Sequence, residues 1–112
     1  MSTPQERLFE IYETYRVAFA NRAADWKLAR TMKEADTIER NVDALESAYL
    51  RAAKQALDAN GPAVEAAYQA AKTARDDVTN AYLEARALAD RIRSVGAAIK
   101  AVGGLLATAS GN

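Results

Sequence analysis

The chain has 112 residues, half of them hydrophobic, and its fifteen basic and fifteen acidic side chains leave no formal net charge. That balance argues against a nucleic-acid binder, which neutralises phosphates with a basic excess. The absence of cysteine and histidine excludes disulfides, thiolate chemistry, carboxylate–histidine metal sites and the usual proton shuttle at neutral pH.

The first element has a clear start. Thr3, Pro4 and Glu6 supply a capping hydroxyl, a preset first turn and a carboxylate able to close a capping box. Leu8, Ile11, Tyr12, Tyr15 and Phe19 then recur at helical spacing. A second stripe follows through Leu28, Ala35, Ile38, Val42, Leu45, Tyr49, Ala52, Ala56 and Ala59. The two stripes differ in phase, and the slip falls across residues 21–26, where a continuous helix stutters or bends. With no glycine or proline there, the spacing predicts one helix over about 4–59. The alternative is a three-helix bundle in which the first helix bends near 20–26.

Asn60, Gly61 and Pro62 join the two strong helix breakers, and residues 60–62 are expected to be a turn. After it, Val64, Ala71, Val78, Ala85, Ile92, Ile99 and Leu106 hold one heptad position, and Ala67, Ala74, Ala81, Leu88, Val95 and Val102 the other. The uninterrupted phase predicts a second helix over about 62–102 with a flexible tail at 107–112. The fold class expected is all-α, a single helical domain over 1–112 built as a long antiparallel hairpin with an alanine-rich coiled-coil seam. In such a hairpin, facing residues have numbers summing to roughly 121 about Gly61, so Leu45 faces the region of Val78. At about 1.5 Å per residue the arms would reach on the order of 80 and 60 Å. The longer arm would then leave its aromatic N-terminal part uncovered.

That surplus directs the functional reading. Leu8, Ile11, Tyr12, Tyr15, Phe19 and Trp26 are expected to be a partner-binding face, since so many large apolar groups call for a cover. A homodimer forming a four-helix bundle, or another helical protein, is the expected partner. The charged positions, Glu6, Glu10, Glu13, Arg16 and Arg22 among them, are expected to face solvent. No catalytic, cofactor-binding or metal-binding residues are assigned: Ser2, Ser47, Ser94 and Ser110 lie in no nucleophile elbow, and Val102-Gly103-Gly104-Leu105 lacks the spacing and lysine of a phosphate loop. The expected function is a non-enzymatic structural or adaptor protein that self-associates or docks partner helices.

The alternative is a peripheral membrane or secretion-related helical factor using the glycine-rich segment 94–107. Ile99, Val102, Leu105 and Leu106 would touch a membrane or partner, with Arg91, Arg93 and Lys100 addressing anionic headgroups. In size and shape such a chain is similar to small helical hairpins exported by bacterial secretion systems. The tryptophan-x-glycine turn of one such family is missing: Trp26 is followed by Lys27 and Leu28. No apolar signal core occurs in the first residues, and no uncharged apolar run reaches the ~18 residues of a membrane span. A cytoplasmic location is therefore expected, with signal-less export left open.

Overall fold

The computed structural model describes residues 1–111, in which five helices follow in chain order: α1 (Pro4–Ala20), α2 (Arg22–Leu28), α3 (Met32–Ala53), α4 (Pro62–Leu83) and α5 (Leu88–Ala109). No strand occurs among the described residues, and the protein is all-α. The antiparallel hairpin occurs twice, because each expected arm is itself folded back.

The first arm is not one helix over 4–59. The capping box at Thr3 forms with both reciprocal bonds and starts α1. At Asn21 the backbone opens to φ −100°, ψ 1°, and the side-chain amide donates to the Val17 carbonyl at 2.8 Å. An asparagine that takes the carbonyl four residues back competes with the helix it sits in. After the short α2 the chain reverses over residues 29–31. Thr31 then starts α3 by accepting the Glu34 N–H at 3.1 Å, while the Glu34 carboxylate accepts the Arg30 N–H at 2.9 Å. α3 stops at Ala53, and Leu57, with φ 52°, turns the linker towards Gly61 and Pro62, which open α4 as N-cap and first residue.

The second arm is likewise not one helix over 62–102. It reverses at residues 84–87 around Ala85, which takes φ 51°. The Ala85 N–H reaches the Tyr82 carbonyl at 3.1 Å and the Arg86 N–H reaches the Ala81 carbonyl at 2.9 Å. These two bonds make a Schellman ending, usually built on glycine. The heptad phase runs across the turn unchanged, so periodicity alone could not reveal it. α5 also outlasts the expected end at 102 and takes up part of the expected tail over 107–112. Ala109 is helical and buried, and its carbonyl accepts the Ala59 N–H at 3.0 Å; Asn112 lies outside the described residues.

The four long helices close a bundle measuring 44 × 24 × 17 Å. α1 rests on α3 and α4, α5 rests on α4 and α3, and α1 also touches α5 across the centre. α3 therefore faces α1 and α5 in place of α4, and the facing rule about Gly61 does not hold. Ile11, Val42, Leu45, Leu57, Val64, Val78, Val95, Val102, Leu105 and Leu106 form the core. The uncovered N-terminal arm that called for a second chain does not exist, since the chain's own helices cover α1.

Charged side chains enter this bundle at the end where α1 begins. Arg7 is fully buried. Its guanidinium donates to the Leu57 and Ala59 carbonyls at 2.7 and 2.8 Å, to the Ser2 hydroxyl and carbonyl at 2.9 and 3.0 Å, and to Glu65 at 3.2 Å. One side chain thus ties the N-terminus, the α3–α4 linker and the first turn of α4. Glu10, expected in solvent, is buried against Arg75 at 2.9 Å, which sets α1 and α4 side by side. Among the described residues no buried side-chain polar atom lacks a hydrogen-bond partner.

Candidate functional site

Asp25 decides what the opposite end of the bundle shows to solvent. It is the only carboxylate between Asn21 and Lys33, and it is buried. Its carboxylate accepts the Tyr82 hydroxyl at 2.6 Å and pairs with Arg91 at 3.2 Å. Arg91 in turn donates from Nε to the Arg86 carbonyl at 2.8 Å and lies 5.2 Å from the Tyr82 ring centroid. Burial, and then the bond to Asp25, push the Tyr82 phenol well above its ordinary range, so it stays a donor at any physiological pH. This three-residue lock fixes α2 against α4 and α5.

With Asp25 turned inward, α2 presents the remainder of its surface outward. Trp26, Leu28 and Met32 are exposed, Met32 at 78% and Trp26 at 49%. Arg22 sits between two rings, 4.7 Å from the Phe19 centroid and 6.0 Å from that of Trp26, and reaches Glu39 on α3 at 3.8 Å. It holds the indole as one wall of an open groove of about 540 Å³ between α2 and the start of α3. Trp26, Met32 and Ala35 line it, together with the charged Arg30, Asp36 and Glu39. By contrast, the small cavity lined by Asp25 and Tyr82 measures about 10 Å³. That is space for at most one water and no ligand.

The expected partner-binding residues divide at this point. Phe19 and Trp26 are exposed at the groove end. Ile11 is instead fully buried in the core, and Leu8 packs against that core. Tyr12 and Tyr15 pack on Tyr49 of α3, with ring centroids 5.1 and 6.2 Å apart, and the Tyr15 hydroxyl donates to Glu46 at 3.1 Å. These four are taken up in the chain's own packing, the two tyrosines against α3. Sequence reasoning passed over Met32, Arg30 and Asp36, although Thr31-Met32-Lys33-Glu34 repeats the capping pattern of Thr3 to Glu6 and marks a fresh helix start beside Trp26.

The glycine-rich segment 94–107 behaves differently from its composition. α5 is long and apolar enough to cross a membrane, but its large side chains point into the bundle. Val102, Leu105 and Leu106 are buried, and the half-buried Ile99 packs against the core. Within 94–107, what α5 exposes is Gly96, Ala97, Lys100, Gly103, Gly104 and Ala107, with no large apolar side chain among them. Comparison of the chain with protein-family models, curated proteins and solved structures returns no match.

Proposed function

We propose that the protein is a non-enzymatic docking module, an adaptor that engages a helical partner through the groove between α2 and α3. The observation that supports this reading is that Trp26 and Met32, both exposed, line one open groove together. Tryptophan and methionine suit such contacts: the indole is large and stiff, and the thioether adapts to the surface it meets. An amphipathic helix laying an apolar ridge into the groove is the recognition mode this shape fits.

A photo-reactive residue placed at Met32, and as a control at the exposed Thr73 on α4, tests the proposal in the source cells. A discrete adduct is expected from position 32, none from 73, and Trp26→Ala should remove it. Equal labelling from both positions, or none from either, would defeat the docking reading.

A further inference from the structure

Resting on that docking reading, we infer that the occupant of the groove is a second copy of this chain, docked about a two-fold axis through the start of α3. A two-fold interface joins the same patch on both copies, so the patch must complement itself in shape and charge. The lining of this groove offers what the charge demand asks for. Trp26, Met32 and Ala35 supply apolar lining, and Arg30 lines it together with Asp36 and Glu39, so both signs of charge are present. A two-fold pairing of this patch would set Arg30 of each copy against Asp36 of the other. Met32, 78% exposed, is an apolar group that each copy can offer the other, and Ala35 is a small residue in the same lining.

Glu39 is engaged by Arg22 at 3.8 Å, but the two charges this pairing uses are free. The Arg30 guanidinium and the Asp36 carboxylate are both exposed, and neither forms an ion pair or side-chain hydrogen bond among the described residues. The formal net charge of zero means that two copies approach without mutual repulsion. An anionic bilayer is the weaker occupant. Lys27, Arg30 and Lys33 would attract it, but Asp36 and Glu39 stand in the same groove and would face the headgroups. Stable interfaces bury ~800 Å² per partner, and a pairing confined to this one groove is expected to be weak and concentration-dependent.

Sedimentation velocity on the full chain across a concentration series reads this directly. The wild-type mass should climb from one chain towards two as concentration rises, with a blue shift in the emission of Trp26, the only tryptophan. Arg30→Asp and Asp36→Arg, both at exposed positions, should each weaken association on the order of tenfold or more by opposing like charges. An equimolar mixture of the two variants should recover it, because opposite charges then face each other at both contacts. A wild type that stays monomeric throughout, single variants that associate normally, or a mixture that fails to recover would each overturn the inference. So would a wild type that stays monomeric and binds vesicles of anionic lipid. An adduct from position 32 whose mass shows a different protein would end the second-copy inference while leaving the docking reading standing. Absence of any adduct would end the docking reading itself.

Discussion

Arg7 shows how one side chain can hold three separated segments. Its guanidinium is fully buried and supplies the donors for the carbonyls of Leu57 and Ala59, which sit in non-helical backbone and have no ladder to join. Arg7→Ala would leave those acceptors buried and unpaired, and is expected to cost about 3–5 kcal/mol, a large share of a small domain's stability. Urea unfolding should show the midpoint falling at unchanged slope. Arg16→Ala removes an exposed pair with Glu13 and should leave the midpoint where it is. Glu65, the carboxylate of the same cluster, is held below its ordinary value of 4.5 by the Ser2 hydroxyl and N–H and then by Arg7. A depressed folded-state pKa gives stability that is complete above the unfolded value and is lost as pH falls through the folded one. Melting temperature should therefore drop as pH is lowered below about 4.5, and Glu65→Gln should flatten that acid limb while lowering the plateau at neutral pH. An acid limb of the same steepness in Glu65→Gln would show that other carboxylates govern it.

At the scale of the elements, two reversals place a non-glycine residue in left-handed backbone, Leu57 at φ 52° and Ala85 at φ 51°. The conformation costs such a residue roughly 1–2 kcal/mol, and the compensation differs at the two sites. Ala85 is exposed and gains only the Schellman bonds, which glycine would keep. Ala85→Gly should thus stabilise the protein by about 0.5–1 kcal/mol, the relief of strain exceeding the added freedom of the unfolded chain. Leu57 is buried in the core. Leu57→Gly should lose more than the strain it relieves, with a net cost of about 2 kcal/mol or more. Chemical denaturation of the two variants should therefore give shifts of opposite sign. These sites also explain what could be read from the chain and what could not. The box at Thr3 and the glycine–proline start of α4 were legible because their chemistry is local. The break at Asn21 appeared only as a slip in phase, and the start at Thr31 was written in the same pattern as Thr3 but went unread. The turn at Ala85 carries no glycine and interrupts no heptad, so nothing local announces it. Trp26 and Phe19 were legible as apolar groups on a helical face. That Ile11 and Leu106 are buried depends on helices that meet only once both hidden turns are in place.

For the whole molecule, those turns exchange a long rod for a short bundle, and the difference is large enough to measure. Two helices of the expected lengths, laid side by side, would form a rod some 60–80 Å long with a radius of gyration on the order of 20 Å. The folded chain has a Cα radius of gyration of 14.0 Å, close to the ~13 Å expected for a compact domain of this length. The excess reflects a longest dimension of 44 Å against a shortest of 17 Å. The same turns remove the uncovered arm from the argument for self-association, which now rests on the α2–α3 groove alone. Small-angle scattering separates the two issues by concentration. At high dilution the radius should settle near 14 Å plus the small increment of a hydration layer, and a limit near 20 Å would restore the single hairpin. As concentration rises, the radius and the forward scattering should increase together in the wild type as copies pair through the groove. In Trp26→Ala, which removes one wall without touching the core, both should stay at the dilute limit.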